Sequence, residues 1–330
     1  MKIMQNKIAT LLLISGIVLL NACKKNSDVF VPDPGQVTGP DTNWVSNITA
    51  SMPASVLKAS LSIEPYRDSF EINANSVTIT TPFGLECTFT PNCAVDNSGP
   101  VTGKVYVELL LVKKKGDMIR MDKPTTSDGR LLVSGGEIFV NLSKNGNNLH
   151  LAQGARVYIR YQDAPVSTQM KFFNGDESSI EKFNWIRNLD SSSNIIVPSS
   201  LGYQVVSNSL RWINCDYFYD STNANRTKVQ TELPSHFTNA NTNVYMVFND
   251  MRTVMGMYGD PYVKKFISGK VPVGKAVTIV VLSKQGNDLY LGKQTITTAI
   301  GVGGTASNQN VSILPVKTSK TDILAYLGIL

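Results

Sequence analysis

From Ser55 onward the chain alternates short apolar runs with turn-forming clusters. "VYVELLLV" (Val105 to Val112), "GEIFVNL" (Gly136 to Leu142), "RVYIRY" (Arg156 to Tyr161) and "AVTIVVL" (Ala276 to Leu282) are rich in β-branched and aromatic residues. Gly, Pro, Asn or Asp bound each run, a pattern that predicts antiparallel strands and an all-β sandwich architecture. No stretch of ten or more residues before the C-terminus holds a helical period. In "SKTDILAYLGIL", Ser319 with Asp322 three residues later has the form of a capping box ahead of an apolar run, which predicts a short closing helix. "YQDAPVSTQM" (Tyr161 to Met170) reads as a linker. The expectation is two tandem antiparallel β-sandwich domains: 44–165, and a second β-rich domain, 166–330, ending in the helix.

One turn signal recurs. "LSKNGNNLHL" (Leu142 to Leu151) and "LSKQGNDLYL" (Leu282 to Leu291) agree at seven of ten positions. In each, apolar alternation precedes the "SKxGN" core and resumes after it. Gly146 and Gly286 fall where a tight turn needs positive φ, and the neighbouring Asn and Asp residues tolerate it too. A hairpin used twice accounts for the match without a ligand. An old domain duplication and a paired site stay open as alternatives. His150, whose counterpart is Tyr290, is expected as a cross-strand partner.

The first 22 residues follow a different pattern. Lys2 and Lys7 form a basic n-region, and "IATLLLISGIVLL" (Ile8 to Leu20) is an apolar run shorter than the about 20 residues of a membrane-spanning helix. "LLNAC" (Leu19 to Cys23) resembles the lipobox of bacterial lipoproteins. That resemblance implies removal of residues 1–22 and acylation of Cys23, including palmitate. Acyl chains bury at about 0.8 kcal/mol per CH2, so a multiply acylated cysteine anchors the chain firmly. No aspartate directly follows Cys23, so the outer membrane is expected, in either its periplasmic or its cell-surface leaflet. Residues 23–43, with Pro32, Pro34, Pro40, Gly35 and Gly39, read as a flexible tether with a reach on the order of 25 Å.

Hydrophobic residues at 42% and charged residues at 17% describe a globular chain. The formal net charge of +6 is scattered. Its densest run, "VKKKG" (Val112 to Gly116), reads as a solvated strand end or turn. Nucleic-acid binding would need a basic stripe within a recognisable module, and none is expected here. Cys87 and Cys93 flank a Pro-Asn turn, so in an oxidising envelope they are a candidate disulfide. The alternative is buried thiols. Cys215 is left without a partner.

Candidate chemistry is sparse. There are two histidines, His150 and His236. HExxH, a P-loop, GxSxG and CxxC are absent, and "GVGG" (Gly301 to Gly304) precedes no helix. Glu64, Glu71, Glu86 and Glu108 could form an acid/base pair only if the fold brought them together. The expectation is a protein that is not an enzyme, with no cofactor and no metal. Met246, Met251, Met255 and Met257 read as core before Cu(I) ligands. The aromatic group Trp185, Trp212, Tyr217 and Tyr219 could stack on sugar rings or anchor a partner, but "WINCDYFYD" shows no clean polar face, which favours a buried strand face.

The succession "TITTPFGLECTFTPNCAVDNSGPVTGKVYVELLLV", followed by "GRLLVSGGEIFVNLSKNGNNLHL", resembles a domain of Bacteroidota outer-membrane lipoproteins. That domain is distantly similar to the β-sandwich of zonula occludens proteins and netrin receptors. "LRWINCDYF" (Leu210 to Phe218) resembles a segment in the second half of those lipoproteins. The resemblance spans patches from Phe70 to Phe218 and implies architecture, not functional residues. The cysteines at 87 and 93 depart from its pattern. The expected function is a lipid-anchored, non-catalytic interaction or scaffold module of the cell envelope. Its partners would be the membrane, through the lipid, and envelope proteins or glycans. The alternative is a surface glycan-binding lipoprotein that uses exposed aromatic residues.

Overall fold

The computed structural model describes residues 42–179, 183–219, 225–301 and 308–330. The expected signal segment, Cys23, the expected tether up to residue 41 and most of "GVGG" lie outside them. Among the described residues, three main sheets, two small ones and three short helices make up the fold. The middle sheet runs in the order β1 (Tyr66–Ile72), β4 (Gly103–Val112), β5 (Arg130–Lys144), β11 (Arg211–Phe218), β7 (Lys171–Asp176) and β8 (Asn184–Arg187). A smaller sheet runs β9 (Ile195–Ser199), β10 (Gly202–Ser207), β6 (Val157–Gln162), β3 (Glu86–Phe89) and β2 (Val77–Thr80). These two face each other over an apolar core that includes Phe70, Phe89, Val107, Ile138, Ile159 and Val205.

The third sheet is formed by the last third of the chain. Its order is β18 (Gln309–Ser312), β12 (Val229–Glu232), β15 (Lys265–Ile267), β14 (Val254–Asp260), β13 (Thr242–Phe248), β16 (Ala276–Gln285), β17 (Asp288–Thr297) and β19 (Val316–Thr318). Only β12 and β18 pair in parallel. The sheet curls into a half-barrel, and Val244, Met246, Phe248, Met255, Ile279 and Val281 fill its concave side. Alternate residues of the same strands, Tyr245, Val247, Val280 and Leu282, face the middle sheet.

Helices α1 (Pro53–Leu61), α2 (Lys115–Arg120) and α3 (Lys320–Gly328) fill the layer between the curled sheet and the middle sheet. The predicted capping box closes α3: the Ser319 hydroxyl accepts from Asp322 N at 3.1 Å, and Ser319 N donates to the Asp322 carboxylate at 3.4 Å. Gly116 of α2 sits against the backbone of α3. A Cβ there would lie 1.7 Å from the Leu327 carbonyl oxygen. At the seam, Thr125 N donates to Val254 O (2.8 Å), Ser134 N to Arg252 O (3.0 Å), and Arg252 pairs with buried Asp163 at 3.0 Å.

The all-β expectation and the closing helix hold, while distinct tandem sandwich domains are not clearly resolved. Division at 165 would cut the sandwich, because 157–162 pairs with 202–207 and 211–218 pairs with 130–144. The middle sheet, with both faces covered, serves two cores. Two helices also run against expectation. Residues 53–61 carry Pro at the first turn and bury Ala54, Leu57 and Leu61, a stripe too short to register as a helical period. "VKKKG" does not end in a solvated turn: Lys115 and Gly116 open α2, and Lys115 Nζ donates to Phe248 O at 2.6 Å.

Both copies of the decamer form hairpins, in different registers. In the first, Lys144 pairs with Asn147, and Asn145 (φ 51) and Gly146 (φ 80) are both left-handed, the type I′ pattern. In the second, Gln285 pairs with Asp288, and Gly286 (φ 57) is the left-handed residue of the turn. The first copy then leaves its sheet. His150 pairs with Val95 of a small three-stranded sheet rather than across its own hairpin. The second copy continues along β16 for the whole of β17.

Candidate ligand cleft at the seam

The aromatic residues picked out in the sequence do not form an exposed platform. Trp185 and Trp212 are buried in the layer under the helices, with ring centroids 6.4 Å apart and edge-on. Phe183 packs edge-on against Trp185 at 4.7 Å, and Phe139 lies 5.1 Å from Trp212. The cause is the middle sheet, whose second face is covered as fully as its first. Tyr217 and Tyr219 are half-buried, and Lys275 Nζ lies 5.1 Å from the Tyr219 ring centroid. Cys87, Cys93 and Cys215 are free, buried thiols, so the candidate disulfide is not formed; burial pushes their pKa values up. Met246, Met255 and Met257 belong to the core of the curled sheet. Among the described residues, no group of three or more His, Cys, Asp or Glu side chains converges on one point. Glu64 and Glu108 both pair with Arg67, and Glu86 pairs with Arg160, as surface ion pairs.

A cleft of about 430 Å³ opens instead where the sandwich meets the curled sheet. Pockets of this size are the usual setting for small-molecule recognition. Its walls include Lys58 of α1, the 122–129 segment, Phe183 and Asn184 at the start of β8, and residues 242–245 and 256–259 of the curled sheet. Asp122 sets one side. It follows α2 in the left-handed region (φ 53), where Lys123 N bonds Met118 O at 2.9 Å and Asp122 N bonds Ile119 O at 3.1 Å. This is a Schellman end, at whose left-handed position glycine is usual. Here the side chain has a use. Its carboxylate accepts from Lys58 Nζ at 2.7 Å and from the Tyr245 hydroxyl at 2.8 Å, joining a helix to the curled sheet. Burial, followed by the Asp122 charge and hydrogen bond, pushes the Tyr245 pKa well up.

Asp128 sets the other side. With Gly129 it makes the two-residue left-handed turn that leads into β5. Asn184 Nδ2 donates to its carboxylate at 2.9 Å, and Asp128 N returns a bond to Asn184 Oδ1 at 2.9 Å. Asn243 Nδ2 donates to Ala54 O at 2.9 Å. Both acids of the cleft are thus held by other polar groups, on short, rigid turns. Phe183 and Tyr258, which is 48% exposed, supply apolar surface. Gly256 leaves the wall low, since a Cβ there would meet only Pro124, at 4.0 Å.

Behind the cleft, the middle sheet buries two carboxyl groups. Glu137 and Asp216 are fully buried on neighbouring strands. Both oxygens of Glu137 and Oδ1 of Asp216 lack a hydrogen-bond partner among the described residues. Asn214 Nδ2 donates to Asp216 Oδ2 at 2.6 Å. Burial raises the Glu137 carboxyl well above its usual range, and the Asp216 charge adds to this. Burial likewise raises Asp216, to about 7, against hydrogen bonds from Ser134 and Asn214. Lys123, its Nζ 4.1 Å from the Phe183 ring centroid, is lowered by its own burial.

No protein-family model and no curated protein matches the sequence. The cleft was not legible in the sequence, because Lys58, Asp122, Asn184 and Tyr245 are far apart along the chain and share no local motif.

Proposed function

We propose that this protein is a lipid-anchored, non-catalytic interaction module of the bacterial cell envelope, held in the outer membrane through Cys23. In this reading the sandwich, to residue 219, and the curled sheet, from residue 225, are its two folding units. One observation carries the proposal: the outer edge of β9, which ends the smaller sheet, is apolar and has no strand beside it among the described residues. Ile195 and Val197 are 40% and 48% exposed there, and Leu201 nearby reaches 69%. An exposed strand edge with apolar side chains is the setting for strand-addition contacts with another protein. A photo-crosslinking residue at Val197 tests this in cells. Discrete adducts at Val197 but not at exposed Tyr106 are expected, and no adduct at either site would contradict the proposal.

A second reading, glycan binding, draws on the seam cleft rather than on the buried tryptophans. Amides, hydroxyls and two hydrogen-bonded acids beside Phe183 and Tyr258 suit a neutral, polyhydroxylated ligand better than an anionic one. Calorimetry against a panel of neutral oligosaccharides tests it. Binding weakened at least tenfold by Tyr258→Ala and by Asn184→Ala is expected, and binding indifferent to both variants would contradict it.

A further inference from the structure

We propose that the hairpin tip between β14 and β15, Pro261–Val263, is the face this protein turns toward the lipid surface. The inference rests on the reading of Cys23 as a lipid anchor. Tyr262 is 90% exposed, more than any other large hydrophobic residue among those described, and Val263 beside it is 49% exposed. The tip is rigid. Asp260 Oδ1 accepts from Tyr262 N at 2.9 Å and from Val263 N at 3.2 Å, and Lys264 N donates to Asp260 O at 2.8 Å. Lys264, at φ 54, completes the turn and is exposed. The tyrosine is therefore held outward by backbone bonds and loses little freedom when it meets a surface.

Its location gives the tip its occupant. The described chain begins beside it. Trp44 packs on Phe266 with ring centroids 5.2 Å apart, and Asn239 holds Val45 by its N–H (2.9 Å) and its carbonyl (2.7 Å). Thr42, Asn43 and Trp44 share a groove of about 480 Å³ with Pro261 and Lys264. The described chain thus meets the fold next to the tip at Thr42, about twenty residues along the sequence from Cys23. A tyrosine and an aliphatic side chain beside a lysine is a composition that seats at a membrane–water interface, the ring at head-group level and the amine among the phosphates. Two apolar side chains cannot hold a protein on a membrane alone. They orient one that lipid already anchors.

The test uses the full chain, extracted from membranes and reconstituted into phosphatidylethanolamine–phosphatidylglycerol vesicles. A fluorophore is placed on Tyr262→Cys or, as the control, on Leu189→Cys, which is exposed on the sandwich. Cys87, Cys93 and Cys215 are buried and do not compete for the label. Quenching by lipid-borne bromine is read for each, and intact mass reports acylation of Cys23 in the same sample. Quenching at least threefold greater at 262 than at 189 is expected. Equal quenching in an acylated sample overturns the inference alone, whereas an unacylated mature chain overturns the anchoring and the inference with it.

Discussion

Ile138 and Glu137 are neighbours on β5, both fully buried, and they enter opposite layers. Ile138 joins the apolar core under the smaller sheet, among Val140, Ile213 and Cys215. Glu137 turns toward the helices and the curled sheet, opposite Asn214 and near Asp216 and Lys123. One face of the middle sheet is thus apolar, while the other traps carboxyl groups among Phe139, Trp185 and Trp212. A buried carboxyl without an ion-pair partner is far cheaper to keep protonated than charged. Burial therefore favours the protonated form of Glu137 and Asp216 at pH values where surface acids are ionised.

The strongest way to break this contrast is to lift the cover from the polar face. Gly116→Ala would drive a methyl group into the Leu327 carbonyl and part α2 from α3. A loss of about 4 kcal/mol or more in denaturant unfolding is expected. Ile138→Ala attacks the apolar face, with an expected cost of about 3 kcal/mol from lost burial and the remaining cavity. Acidity separates the faces more selectively. The Asp216 pKa is raised in the fold from its ordinary 3.8 to about 7, so the stabilising protonated form is fully present below 3.8. Its contribution is lost as pH rises toward 7, at up to about 1.4 kcal/mol per unit. Asp216→Asn should flatten the fall of Tm over that window, measured from pH 4 to 7. The smallest effect is expected at Glu137→Gln, which keeps the shape of a carboxyl that is already neutral. Its unfolding free energy near pH 6 should stay within about 1 kcal/mol of the parent. A large loss there would mean that Glu137 works as an anion.

The same contrast explains what the sequence allowed to be read. Strands, the capped terminal helix and both hairpins were legible, because strand period and turn chemistry act over a few residues. Gly146 and Gly286 marked the turns, but the one-residue difference between the two turns depends on which strand waits beyond. The Val95 strand draws His150 away, whereas β17 stays on β16. "WINCDYFYD" shows no clean polar face because its strand has no solvent side. That missing polar face is the signal that favours a buried strand face for Trp212 over an exposed platform. Helix α1, nine residues long, draws its stability from packing Leu57 and Leu61 rather than from an extended period. The seam cleft depends on Asp122 reaching both Lys58 and Tyr245, a meeting set by the tertiary fold.

The proposed lipid anchor rests on Cys23. Cells expressing the parent chain or Cys23→Ala would be fed an alkyne-bearing fatty acid, and incorporation into the purified protein read by fluorescent click labelling. The account predicts strong labelling of the parent and none of Cys23→Ala. An unlabelled parent, or equal labelling of both, would contradict it.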